Sequence, residues 1–107
     1  MLEYFRDKLK DELCGAKDYV KMALESKTTH PAWAKMYLDM SAAELNHATN
    51  LYKMSDEYYR EVISSYKEVP EYIKNVWDEI VSMYAEKSAK VKYMHEMYNK
   101  WLKILIE

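Results

Sequence analysis

Helix breakers are almost absent from this chain, which carries one glycine, Gly15, and two prolines, Pro31 and Pro70, in 107 residues. A sequence so poor in turn formers can be cut only where those few residues fall. Proline suits the first turn of a helix and disfavours helix in the residue before it. Thr28-Thr29-His30-Pro31 and Lys67-Glu68-Val69-Pro70 therefore each read as a stop followed by a start. Three long helices result, near residues 2–27, 31–66 and 70–106. Hydrophobic residues at 50% and charged residues at 32% supply the two faces that such helices need, and strands are not expected. The length suits a single helical domain over residues 1–107. Connections this short predict an all-α, antiparallel three-helix bundle.

Each helix has an apolar stripe at spacings of three and four, and each stripe is interrupted by polar residues. The first runs Leu2, Phe5, Leu9, Glu12, Ala16, Tyr19 and Ala23, with Leu13 and Val20 alongside. The second runs Trp33, Tyr37, Met40, Glu44, His47, Leu51, Met54, Tyr58 and Val62. The third spreads over Ile73, Val76, Trp77, Ile80, Met83, Tyr84, Val91, Met94, Tyr98, Trp101 and Leu105, with Lys87 within it and His95 on its flank. A carboxylate turned towards a core is costly unless a cation or hydrogen-bond donors meet it, so Glu12 and Glu44 require an explanation.

Heights along the bundle supply one. Glu12 lies roughly 16 residues before the first turn and Glu44 to His47 roughly 15 after it, which brings all three to one level at about 1.5 Å of rise per residue. Counting outward from the second turn puts His95 near the same level and Lys87 about a turn away. Glu44 and His47, three apart, share a helix face and can reach one ion together. Two carboxylates with one or two imidazoles form a donor set suited to iron, manganese or zinc. Glu12, Glu44, His47 and His95 are the candidate metal ligands, and no residue is assigned a catalytic role. The competing explanation is a buried polar network in which Lys87 or Lys17 pairs with the glutamates and fixes the register without chemistry.

Glu12-Leu13-x-x-Ala16-x-x-Tyr19, followed one hairpin later by Ala43-Glu44-x-x-His47-Ala48, resembles the first half of ferritin-like and rubrerythrin-like carboxylate-bridged diiron proteins over roughly residues 9–54. The resemblance implies a terminal glutamate at Glu12, a bridging glutamate at Glu44 and a histidine ligand at His47. It also implies iron as the cofactor and oxidation of ferrous iron, or reaction with oxygen or peroxide, as the chemistry. The chain departs from the family because no second E-x-x-H follows. Lys92 stands three before His95, and Asp78, Glu79, Glu86 and Glu96 fall away from the apolar face of the third helix. A site can still be completed in two ways. Two chains pair about a two-fold axis, each giving Glu12, Glu44 and His47, or one chain holds a single divalent ion with His95 as a fourth ligand.

Association has a second support, because the first helix is too short to cover the far end of the hairpin formed by the other two. Tyr58, Tyr59, Val62, Ile63, Tyr66, Tyr72, Ile73 and Trp77 are expected to lie open there, so a homodimer or higher oligomer is predicted. The rival function is a non-enzymatic interaction or inhibitor protein that docks a protein partner through its Tyr- and Trp-rich surfaces. A net charge of −2 with Lys and Glu interleaved gives no basic patch for nucleic acid. No apolar run is long enough to span a membrane. The single Cys14 cannot form an intrachain disulfide and no signal peptide opens the chain, so the cytoplasm is the expected location.

Overall fold

A computed structural model, which describes residues 1–106, contains three helices and no strand among those residues. They are α1 (Leu2–Ser26), α2 (Pro31–Ser64) and α3 (Glu71–Ile106), each within two residues of the boundaries expected from the sequence. Pro31 opens α2 at a position where its missing N–H costs nothing. The Pro70 carbonyl accepts the Ile73 N–H at 3.1 Å and so begins α3. The α2 helix ends slightly earlier than expected because the Ser64 and Ser65 hydroxyls turn back onto the carbonyls of Glu61 and Val62. No helix is long and apolar enough to cross a membrane.

Contacts that climb α1 descend α2. Phe5 packs on Tyr58, Glu12 faces His47, the Ala16 carbonyl meets Ser41, and Tyr19 stacks on Tyr37. Those that descend α2 climb α3, from Tyr59 on Trp77, through Tyr52 on Tyr84, to Ser41 beside His95. The particle measures 60 × 19 × 16 Å. The core is a column of Leu2, Phe5, Leu9, Leu13, Ala16, Val20 and Ala23 from α1 against Ile73, Val76, Ile80, Val91 and Tyr98 from α3.

The α2 helix is rotated from the expected orientation. Its buried residues are Ala34, Ser41, Ala48 and Ser55, a seam of small side chains seven apart. Trp33, Met40 and Met54, expected to point inward, are 55%, 41% and 54% exposed. The reason is steric. The α1 and α2 backbones approach so closely that the short Ser41 side chain donates across the gap to the Ala16 carbonyl at 2.6 Å, and a Met or Trp cannot fit there. Small residues win the inner positions although they contribute less apolar area.

The expected open patch at the hairpin end is also largely closed. Leu2 and Phe5, in the first turn of α1, reach it and are buried. Ile73 is buried as well, and Tyr58, Tyr59, Val62, Ile63 and Trp77 are half-buried. Only Tyr66 and Tyr72 stay exposed. The short turn at Lys27–His30 sets α1 back along α2 by little more than its own length, so α1 covers more of the hairpin than the difference in helix length suggests.

Candidate metal centre

Glu12 projects from α1, and Glu44 and His47 project from α2 one turn apart. One ligand atom from each of the three lies within 4.8 Å of the others, so the spacing inferred from the sequence becomes a cluster in space. The Glu12 side chain is 25% exposed and His47 57%, which makes this a groove-edge site between α1 and α2 with its imidazole towards the outside.

Its two carboxyl groups lie beside each other with no basic side chain within hydrogen-bond reach of the buried Glu12 oxygen. The Oε2 atom of Glu12 is buried and has no hydrogen-bond partner. The closest positive-capable group, His47 Nδ1, is 3.7 Å away and beyond hydrogen-bond reach. Glu44 has its pKa raised, first by a hydrogen bond from carboxyl to carboxyl with Glu12, then by burial and by the Glu12 charge. His47 opposes these effects without cancelling them. Two acids set against each other between helices can be accommodated by a proton shared between them or by a cation placed beside them.

Gly15 completes the local shape. A Cβ placed on it would lie 3.4 Å from Glu44 Oε2, so the bare backbone of α1 forms the wall against which that carboxylate rests. Its φ is not positive, so the glycine bears on the site through the room it leaves rather than through backbone freedom. Its position three after Glu12, on the same face, was the signal that it borders the site.

His95, the fourth candidate ligand, is not part of this cluster. It lies at the expected height but around the other side of α2, where Nε2 is 2.9 Å from Ser41 Oγ. The Ser41 hydroxyl proton is committed to the Ala16 carbonyl, so the imidazole donates from Nε2 and the three helices are tied together at one level. Burial lowers the pKa of His95 and keeps the ring neutral near pH 7. Ser41 was missed in the sequence because its apolar neighbours drew the stripe, although the seven-residue recurrence of small residues was there to be read.

Lys87 lines the grooves between α1 and α3, beside Arg6, Asp7, Lys10 and Glu79 on one side and Cys14 and Lys17 on the other. Among the described residues no salt bridge joins Lys87 or Lys17 to Glu12 or Glu44. The protein-only neutralisation considered for the two glutamates is thus not made.

The donor set fits a divalent cation. It offers hard carboxylate oxygens, a borderline imidazole, a buried oxygen without a partner, and a glycine that leaves the space open. Comparison of the chain with family models, with curated proteins and with solved structures finds no match.

Proposed function

We propose that this chain is an antiparallel, ferritin-like half-bundle that binds a divalent metal ion, iron by resemblance, through Glu12, Glu44 and His47, and that two copies complete the centre. The observation that carries the reading is the convergence of those three side chains about the buried Oε2 of Glu12, which no basic side chain reaches within hydrogen-bond distance. Glu12 and Glu44 would supply the charge and His47 the neutral nitrogen. Bound iron would supply the one-electron chemistry for reaction with oxygen or peroxide.

Support for the second copy comes from the outer side of α2. Trp33, Met40, His47 and Met54 recur every seven residues and are all exposed, with Met36 beside them at 63%. A seven-residue repeat of large side chains facing solvent has the geometry of a helix-pairing seam. Laid antiparallel on its own copy about a point midway between Met40 and His47, it would set Trp33 against the partner's Met54 and bring the two Glu12, Glu44 and His47 sets together. Three donors from one chain leave an ion with open positions, which the second set could share in the pair.

The test is metal content by plasma mass spectrometry after anaerobic ferrous loading, with the particle mass measured on the same sample. About one ion per chain in an even-numbered oligomer is expected. Glu44→Ala should lose the ion and keep its helical circular dichroism. Stoichiometric metal retained in that variant would remove the proposal. A bare monomer would instead assign the exposed seam to a different protein partner.

A further inference from the structure

The α2–α3 seam contains a run of four stacked rings. Tyr59, Trp77, Tyr52 and Tyr84 stack in that order, alternating between the helices, with centroid separations of 4.7, 5.9 and 4.3 Å and interplanar angles of 9°, 14° and 7°. Tyr52 and Tyr59 are seven apart on α2, as Trp77 and Tyr84 are on α3, so one coiled-coil register builds the whole ladder. Elsewhere the pair geometries are mixed, edge-to-face at 70° for Tyr4 and Phe5, tilted for Phe5 and Tyr58, and stacked for Tyr19 and Tyr37 and for His30 and Trp33. Here three successive contacts are nearly parallel.

Phenylalanine would stack equally well at the tyrosine positions, yet every ring in the ladder is a phenol or an indole, the side chains that most readily give up one electron. The hydroxyls are also differentiated. Thr49 Oγ1 donates to the Leu45 carbonyl, so Tyr84 spends its proton on Thr49 at 2.9 Å, where no base stands ready to take it. The Tyr52 and Tyr59 phenols make no hydrogen bond among the described residues. Neither is a buried group lacking a partner, so each meets water. Both flank Trp77 directly.

We infer that the ladder is a one-electron conduit in which Trp77 takes up oxidising equivalents and passes them to the water-facing phenols of Tyr52 and Tyr59. A one-electron oxidant of the oxygen-derived radical class removes an electron from the Trp77 indole and is reduced, and the indole N–H proton passes to water. A phenol of Tyr52 or Tyr59 then returns an electron to the indole, which recovers a proton from water, while the phenol proton leaves to solvent. The net change is one oxidant reduced, one proton released and one phenoxyl radical formed. A thiol or ascorbate-type reductant restores the phenol with an electron and a proton. This role does not depend on the metal centre and is read in protein without added metal.

The experiment is pulse radiolysis with the azide radical as oxidant, which is selective for indole, in a Trp33→Phe/Trp101→Phe background where Trp77 is the sole tryptophan. The indolyl absorption should convert to phenoxyl absorption in a first-order step whose rate is independent of protein concentration. In the further variant Tyr52→Phe/Tyr59→Phe the rings still stack, so the fold is preserved, but that first-order conversion should be lost. Circular dichroism on each variant verifies the fold. Conversion at an unchanged rate without the two phenols, or conversion that scales with protein concentration, would overturn the inference. If Trp101→Phe disturbs folding, the Trp33→Phe protein with and without the two tyrosine changes gives the same comparison.

Discussion

At Gly15 a single missing methyl group sets two properties against each other. Glycine in a helix interior costs about 0.5–1 kcal/mol relative to alanine, and Gly15 has an ordinary helical φ that alanine would adopt without strain. Gly15→Ala should therefore raise the melting temperature. The new Cβ would sit 3.4 Å from Glu44 Oε2, an ordinary contact that nevertheless fixes the carboxylate against one wall and restricts its adjustment around an ion. Calorimetric titration with ferrous or manganous ion should show weaker binding in this more stable variant. Higher stability with unchanged affinity would mean that Gly15 only packs helices. At this scale Glu12, Glu44 and His47 were legible in the sequence, because height follows from counting residues and a three-residue step fixes a shared face. His95 was legible in height only. Its azimuth depends on how α3 is rolled about its axis, and a broad apolar face does not fix that roll.

The α2 helix shows what hydrophobic periodicity can and cannot report. Its bounds, its length and its amphipathic character follow from Pro31 and the three-and-four spacing. The direction of its face does not, because periodicity weighs residues by hydrophobicity while a close helix pair weighs them by size. Large-to-small ranking placed Trp33, Met40 and Met54 inside, and the close approach of α1 placed Ala34, Ser41, Ala48 and Ser55 there instead. An expectation follows that reverses ordinary intuition. Ala48→Leu adds apolar volume at a fully buried position and should destabilise the protein by about 1–3 kcal/mol in urea denaturation, through overpacking. Met54→Leu, on the outer seam, should change stability by less than about 0.5 kcal/mol in the same measurement. A stabilised Ala48→Leu would show that the α1–α2 gap is wider than the Ser41 bridge implies.

On the scale of the whole molecule, the all-α architecture, three helices and near-absence of other structure were readable because one glycine and two prolines leave few other foldings. Where the uncovered surface lies was not readable, since it depends on the offset of α1 along the hairpin and on the roll of α2. The apolar surface moved from the hairpin end to the outer side of α2. There Met40→Glu should place a charge in the proposed pairing seam and reduce the sedimenting mass to that of one 12.9 kDa chain. An unchanged mass would locate pairing elsewhere or exclude it.

His47 belongs to two surfaces at once, the cluster with Glu12 and Glu44 and the outward row with Trp33, Met40 and Met54. In the proposed reading, pairing and ion capture draw on the same side chain, and mass action would link them. Simply diluting the protein should act as a competing chelator would, with apparent affinity for the ion falling as chains separate and recovering on concentration.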